Sequence, residues 1–287
     1  MTDVGGHASL VDNWRVWWER ERRRPTGGSP AARIAQIYRR RDVLRMLVAR
    51  DLKRKYAVSH LGYAWTLLEP GLMIGIYYLI FGKVAKLGIN HYVLFIATAM
   101  VPWLWFRSAA NSATSTLRKN SKLVTSISLP REIYPLEMVL AKSVEFVIML
   151  PIVIGVAAAY HTKPTHYAYF IPFVIILEFV LNIGVALMLS ALTTLFSDIA
   201  RGLHVALRLL FYLTPVIYPT ARVHGTLRSF FQINPLVGIV ELHRAVWFPH
   251  TIITWQMVLV SVSGSIFMFV AGWAVFIRAE PSVLKEL

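Results

Sequence analysis

Cysteine is absent from the 287-residue sequence, and acidic residues are scarce. Without cysteine, a disulfide framework, thiol catalysis and cysteine-ligated metal are excluded. Only 16% of the residues are charged, and 15 Asp and Glu stand against 30 Lys and Arg. With 56% hydrophobic residues and a mean hydropathy of +0.54, the chain is too apolar for a soluble globular protein. The composition therefore predicts an integral membrane protein.

Several catalytic and nucleotide-binding motifs are also missing. There is no GxxxxGK(S/T) loop, so the chain cannot bind ATP in the P-loop manner. There is no HExxH motif, and the nine histidines lack metal-ligand spacing. Nothing at the start resembles a signal peptide, so we expect the N-terminus to stay in the cytoplasm. These absences favour a transport subunit over a membrane enzyme, with no cofactor or metal in this chain.

Six apolar stretches predict six transmembrane helices. They cover about residues 63–82, 92–117, 136–160, 168–196, 203–218 and 252–277. The fifth is the shortest and contains Arg208 and Pro215. Six spans place both termini on one side. The positive-inside rule puts that side in the cytoplasm, because 23 Lys and Arg fall there and 6 on the other side, or 9 against 6 without residues 1–62.

Two basic segments precede the first span. Residues 1–33 form an arm in which Trp14, Trp17 and Trp18 share a helical face, which is typical either of an interfacial helix or of a disordered tail. Residues 34–62 contain an amphipathic helix, from Ile34 to Lys55, with an apolar stripe opposite a basic face. Its basic face binds either lipid headgroups or a soluble partner. The transmembrane domain then covers residues 63–277, and residues 278–287 form a cytoplasmic tail.

Two connections are unusual. The basic segment from Arg118 to Pro135 predicts a short surface helix over about 120–127, which either receives force from a soluble subunit or is an ordinary loop held by lipid phosphates. The outer segment 219–250 contains two apolar pieces around Asn234-Pro235, each too short to span. Short helices that re-enter the outer leaflet explain these pieces, because a helix satisfies its own backbone hydrogen bonds. A surface cap is the alternative.

Aromatic residues lie deep in the second span, next to Arg107. Interfacial aromatic belts do not lie so deep. Trp103, Trp105 and Phe106 therefore either pack between helices or line a path on which sugar rings or lipid headgroups stack, with Arg107 pairing with phosphate. Charges within spans are expected to face protein or water rather than lipid, namely Glu69, Arg107, Lys142, Glu145 and Glu178.

Five segments occur in a familiar order: RDLKRKYAVSHLGYAWTLLEP, VPWLWF, SLPREIYP, LTPVIYP and INPLVGIVELHRAVWF. With them the chain resembles the ABC type-2 polysaccharide-export permeases, of the Wzm and teichoic-acid exporter kind, over about residues 38–278. Within that family it looks most like the actinobacterial (mycobacterial) permeases that export the lipid-linked galactan of the cell wall. O-antigen and teichoic-acid precursors are the other cargoes that the resemblance allows.

The resemblance implies a homodimer in the plasma (inner) membrane. Two copies of a separate ATP-binding subunit, which hold ATP and Mg²⁺, would drive export of a polyprenyl-linked glycan to the outer face. Membrane lipids are further partners, and nucleic acid is not one. Its implied fold is an all-α polytopic membrane protein with six spans, an amphipathic N-terminal helix and outer gate helices between spans 5 and 6. An ABC exporter of drugs or lipids, or a polyprenyl-lipid enzyme, is the alternative.

The resemblance also implies three sets of functional residues. The residues that face the ATPase subunit would be Arg39, Arg40, Arg41, Arg45, Arg118, Lys119, Lys122, Ser126 and Ser128. The outer gate would include Phe230, Asn234, Pro235 and Trp247. The substrate path would be lined by Glu69, Trp103, Trp105, Phe106 and Arg107.

Overall fold

A computed structural model describes residues 30–57, 61–126, 129–223, 225 and 231–287, and the regular secondary structure of these residues is helical throughout. This confirms the all-α class. The helices are α1 (Pro30–Arg39), α2 (Arg41–Tyr56), α3 (Ala64–Tyr77), α4 (Tyr92–Lys119), α5 (Ser121–Ser126), α6 (Ile133–Ala159), α7 (Ile171–Leu195), α8 (Asp198–Tyr212), α9 (Pro235–Ala245) and α10 (Trp255–Glu286). A π-helical stretch, Tyr78–Val84, continues α3, and a 3-10 helix, His166–Phe170, leads into α7.

Within the described residues, five helices are long and apolar enough to cross a membrane: Ala64–Val84, Tyr92–Lys119, Ile133–Ala159, His166–Leu195 and Trp255–Glu286. Their bounds agree within three residues with five of the six spans predicted from the sequence, except that the last helix ends nine residues later than expected, at Glu286. The polytopic class is confirmed. The span expected over residues 203–218 is instead the 15-residue helix α8. At 1.5 Å per residue it is about 22 Å long, short of the roughly 30 Å hydrocarbon core. A sixth span therefore stays a prediction.

Helix α4 forms the centre of the bundle and is largely buried by α6, α7 and α9. Small residues such as Ala97, Ala109 and Ala113 let neighbouring helices approach it closely. The closest helix pair is α7 and α10, where a Cβ atom on Gly272 would overlap the carbonyl oxygen of Gly184. Backbone-to-backbone contact of this kind is how helices pack in lipid, where hydrophobicity does not drive them together.

Helix α9 is surrounded by other helices along its whole length. Its residues from Leu236 to Ala245 are all buried. Asn234 caps its start, because the side-chain oxygen accepts a hydrogen bond from the Leu236 N–H at 3.0 Å, and Pro235 occupies the first turn. The second apolar piece of the outer segment is thus a helix, as expected. Re-entry into the outer leaflet stays a prediction, and Phe230 lies outside the described residues.

The two ends of the described chain differ from their expected form. The single amphipathic helix expected over residues 34–55 is two helices that meet at Arg40, whose backbone leaves the helical region with φ −100° and ψ 21°. Because of this break the apolar stripe does not lie against one surface: Leu47 is buried, whereas Ile34 is exposed. The expected tail 278–287 is the end of α10, which buries Glu280 and Val283.

Candidate functional site

A cleft of about 280 Å³ opens between α3, α4 and α8. Its lining combines aromatic side chains with polar and charged ones, namely Tyr77, Trp103, Arg107, Asn111, His204, Arg208, Phe211 and Tyr212. Arg107 lies about 22 Å along α4 from Tyr92, near the middle of that helix. The cleft therefore presents charge at membrane depth, where a charged group facing lipid costs roughly 2.5 to 3.5 kcal/mol on insertion scales.

The structure separates the aromatic residues that the sequence grouped together. Residues two apart on a helix point in directions about 200° apart. Trp103 lines the cleft with its ring centroid 5.4 Å from that of Phe211. Trp105 stacks against Phe146 of α6 at 4.4 Å, on the other side of the helix. Phe106 is buried beside Trp103. Trp103 and Arg107 lie where a substrate in the cleft could touch them, whereas Trp105 and Phe106 do not.

Glu69 lies next to the cleft but does not line it. It is exposed on α3, one turn before Met73, which does line the cleft. The sequence prediction did not include α8 in the substrate path, because it treats residues 203–218 as a membrane span and takes the path residues from the first two spans. A signal was available: His204, Arg208 and Tyr212 recur every fourth residue, which places them on one helical face.

A buried arginine holds the non-helical segment that follows α8. Arg244 of α9 donates hydrogen bonds to the Glu241 carboxylate at 2.7 Å and to the Pro215 carbonyl oxygen at 2.6 Å. Its guanidinium also lies 3.7 Å from the ring centroid of Phe95. A cation buried at this depth requires such partners, and all three are present.

Two further side chains bind carbonyl groups of the same segment. Asn234 donates to the Leu213 carbonyl oxygen at 3.2 Å and to the Thr214 hydroxyl at 3.1 Å. Tyr92 donates to the Ile217 carbonyl oxygen at 2.8 Å. Backbone groups that a helix leaves unpaired must find partners inside a membrane protein. Asn234 therefore holds this segment as well as capping α9, while the expected gate residue Trp247 is half-buried beyond the end of α9.

The two elements expected to face an ATPase subunit lie side by side. Leu47 of α2 packs with Leu117 and Val124, which flank the end of α4. Arg50 of α2 donates to the Asn120 side chain at 2.8 Å. Most of the expected interface side chains are exposed there, namely Arg39, Arg41, Arg45, Arg118, Lys119 and Lys122. Arg40 is half-buried, the side chain of Ser126 is not described, and Ser128 lies outside the described residues.

A buried ion cluster, the Arg33 cluster, joins three elements at this end. Arg33 of α1 contacts Glu132, just before α6, at 2.6 Å and Glu280 of α10 at 2.8 Å. Arg131 lies 3.5 Å from the other oxygen of Glu280. Burial alone would lower the pKa of the Arg33 guanidinium, but its hydrogen bonds with Glu132 and Glu280 outweigh that effect and raise it. No sequence pattern signals this cluster, because its members are far apart in the chain.

A helical bundle with a charged cleft at membrane depth and a basic helical surface at one end defines a membrane transport permease. The profile of the ABC-2 type transporter family matches residues 42–248, which is most of the chain. The protein belongs to the ABC-2 type transporter family.

Known polysaccharide-export permeases are similar to this chain over most of its length. The O-antigen export system permease protein RfbA of Myxococcus xanthus is 26% identical over 85% of this chain and 94% of the relative. A protein of the same name from Klebsiella pneumoniae is 27% identical over 82% of this chain and 91% of the relative. The polysialic acid transport protein KpsM of Escherichia coli is 22% identical over 71% of this chain and 80% of the relative. They confirm the resemblance seen in the sequence.

Proposed function

We propose that this chain is the membrane-spanning subunit of an ABC exporter that carries a lipid-linked polysaccharide from the cytoplasmic to the outer face of the plasma membrane. ATP would be hydrolysed with Mg²⁺ by two copies of a separate subunit. The names of the relatives support a polysaccharide cargo. The observation that carries the proposal is the cleft at membrane depth, because aromatic rings and cations bind sugars and phosphates. Cell-wall galactan is the proposed cargo, with O-antigen-like or teichoic-acid-like glycans as alternatives.

The chain works as a homodimer in this proposal. Glu69, Arg107 and Arg208 are exposed on helices α3, α4 and α8, where contact with lipid would be costly. The neighbouring face of α3 also exposes large apolar side chains, among them Leu68, Leu72 and Ile76. A second copy that covers this face would enclose the charged cleft between the two subunits. The cleft would then face a shared, hydrated path.

Both termini are cytoplasmic in this proposal, because α8 and the segment after it together make a sixth crossing. The start of α8 is close to Thr194, whose carbonyl oxygen accepts from Arg118 at 3.0 Å at one end of α4. Ile217 is held by Tyr92 at the other end of α4. Helix α8 covers about 22 Å of this crossing, and the turn residues 213–217 lead from its end to the carbonyl group that Tyr92 holds.

The basic surface formed by α2 and the end of α4 is the proposed contact with the ATPase subunit. Replacing exposed cations there by Glu should uncouple ATP hydrolysis from export, while the protein still inserts. The variants Arg41→Glu and Lys122→Glu test this, with Lys163→Glu, an exposed lysine before α7, as the control. Unchanged export in both test variants would remove the interface from the proposal.

The cleft is tested by Arg107→Gln, because this side chain is exposed and its loss should leave the fold intact. A hydrogen bond to a charged group contributes about 1.5–3 kcal/mol, so we expect export to fall by roughly tenfold or more at unchanged complex assembly. Trp103→Phe should lower export less, and Trp255→Phe, at an exposed position on α10, should not change it. Loss of assembly instead of transport would assign the cleft residues to packing.

Cargo class is tested by the ATPase activity of the purified complex. A lipid-linked glycan should stimulate ATP hydrolysis more than small amphiphiles do. Stimulation by amphiphiles alone would favour a drug or lipid exporter. Chemical turnover of the polyprenyl lipid without any partner subunit would favour a membrane enzyme.

A further inference from the structure

A second polar cavity, which we call the α2 cavity, lies at the end of the molecule that carries α2. It has a volume of about 530 Å³ and lies between α2, α4 and α6. It is separated from the cleft by α4, since Asn111 lines the cleft and Ser112 lines the cavity. Seven of its lining residues can carry charge: Asp51, Arg54, Lys55, Lys119, Glu137, Lys142 and Glu145. The proposed function assigns no role to this cavity.

One side of the α2 cavity holds a carboxylate without a partner. Glu137 is fully buried, and neither of its side-chain oxygens has a hydrogen-bond partner among the described residues. Asp51 of α2 lines the same cavity, and the Arg50 guanidinium lies 3.4 Å from one of its oxygens. Two neighbouring carboxyl groups repel each other when ionised, and a buried one is costly unless it meets a cation or a donor. This side of the cavity is therefore suited to a cation that a ligand brings.

The other side holds two ammonium groups on one carboxylate. Glu145 lies 2.8 Å from the Lys55 ammonium and 3.0 Å from the Lys142 ammonium. The negative charge of Glu145 thus faces two positive charges, and the exposed side chain of Lys119 adds a third positive charge. Lysine binds phosphate as a point charge. This side is suited to an anion with several oxygens.

An apolar groove adjoins the α2 cavity. Leu52 lines both, and the groove continues between α2 and α6 along Val48, Leu140, Val144 and Val147. Its volume is about 630 Å³, and Val147 is 59% exposed on the surface of a transmembrane helix. A hydrocarbon chain lying in the groove would thus reach the polar cavity with its headgroup. The combination fits an amphipathic ligand rather than a free ion.

We propose that the α2 cavity binds the Mg²⁺-complexed diphosphate headgroup of a polyprenyl lipid, with the lipid chain in the adjoining groove. Asp51 and Glu137 bind the cation, and Lys55 and Lys142 bind phosphate oxygens. Mg²⁺ is commonly held by one or two carboxylates together with phosphates of the ligand.

This inference rests on the proposed function, because a lipid-linked glycan brings such a headgroup to the cytoplasmic membrane face. The cavity would then be a loading site, distinct from the cleft that the glycan passes. A headgroup bound in the α2 cavity would compete with Glu145 for Lys55 and Lys142. Because those lysines come from α2 and α6, an occupied cavity would loosen the contact between these two helices.

The test measures binding of undecaprenyl diphosphate to the permease and ATPase complex in phosphatidylcholine nanodiscs, with Mg²⁺ or with EDTA. We expect Mg²⁺ to tighten binding by about tenfold or more. Losing even a residue that only hydrogen-bonds to a metal ligand typically weakens metal binding by about that factor. Glu137→Gln and the half-exposed Asp51→Asn should each abolish the Mg²⁺ effect without weakening binding in EDTA, because each removes a negative charge that repels the diphosphate. Glu178→Gln is the matched control and should keep the effect, because this buried carboxyl of α7 also has no hydrogen-bond partner in the described part of the chain.

Each outcome decides the proposal. The proposal is overturned if binding does not depend on Mg²⁺. It is also overturned if the variants at Glu137 and Asp51 keep the full Mg²⁺ effect. Equal displacement of the probe by phosphatidylglycerol would assign the cavity to bulk anionic lipid and overturn it too, whereas selective displacement by other polyprenyl diphosphates supports it. If the wild-type complex binds the probe with Mg²⁺ but exports no glycan, the proposed function fails and the binding site stands.

Discussion

Arg33 illustrates how one side chain can hold three elements together. It is the cation closest to both Glu132 and Glu280, and all three side chains are buried. Arg33→Met should leave two buried carboxylates short of a partner, because Arg131 reaches only Glu280. Breaking a buried pair in this way costs about 3–5 kcal/mol. We expect a clearly lower melting temperature of the purified protein in detergent.

Arg45→Met is the matched control for this prediction. Arg45 lies on α2 and is 78% exposed, with its partner Asp42 at 3.8 Å. An exposed pair of this kind contributes about 0–1 kcal/mol, so the melting temperature should change little. Equal melting temperatures for the two variants would show that the Arg33 cluster does not hold the fold.

Predictions from the sequence were least accurate for the positions of single side chains. Depth along the second span was enough to single out Trp103, Trp105 and Arg107 as unusual for that position. Depth did not show on which face of the helix each residue lies, because the part of the span before Arg107 is apolar all round. Only the positions of α6 and α8 assign Trp105 to packing and Trp103 to the cleft.

Among the elements, the α7 and α10 pair makes the sharpest prediction. A Cβ atom at position 272 would overlap the Gly184 carbonyl oxygen, and backbone cannot move aside as a side chain can. Gly272→Ala should therefore destabilise the protein by at least the about 1–3 kcal/mol typical of overpacking. Thermal unfolding in detergent measures this. Gly155→Ala is the control, because α6 leaves open space there, and alanine favours a helix by about 0.5–1 kcal/mol. Similar effects at both positions would contradict the close approach of α7 and α10.

Hydropathy predicted five of the long helices with nearly correct bounds, because roughly 20 apolar residues in a row have few other structures open to them. The span predicted over residues 203–218 differs from the structure for a local reason. Pro215 cannot continue a helix and restrains Thr214, so α8 ends at Tyr212 and side chains from α4 and α9 bind the freed carbonyl groups. The break at Arg40 between α1 and α2 contains no glycine or proline, so no residue type there predicts it.

For the whole molecule, the proposed dimer predicts which surface meets a second copy. The chain has no native cysteine, so single cysteines can be introduced without background. Cysteines on the exposed face of α3, at Leu68, Leu72 or Ile76, should cross-link between copies in native membranes under mild oxidation. Val270→Cys is the control, because it is similarly exposed on α10, away from the cleft. Cross-linking through Val270 and through none of the α3 positions would place the dimer contact elsewhere.

Class and family could be read from the sequence, since both depend on composition and on motif order. The cavities could not, because each forms where three helices far apart in the chain meet. The cleft joins residues from Met73 to Tyr212, and the α2 cavity joins residues from Asp51 to Glu145. Hydropathy determines that these helices cross a membrane and leaves their order around α4 open.

The most direct test of the account is transport by the purified permease and its ATPase subunit in sealed proteoliposomes loaded with a lipid-linked galactan. The account predicts that the glycan becomes accessible to a sugar-specific enzyme on the far side only with Mg²⁺ and ATP, and that mutation of the Walker lysine of the ATPase subunit abolishes this. Glycan that crosses equally without ATP, or a permease that remains stable and active with no ATPase subunit bound, would contradict it.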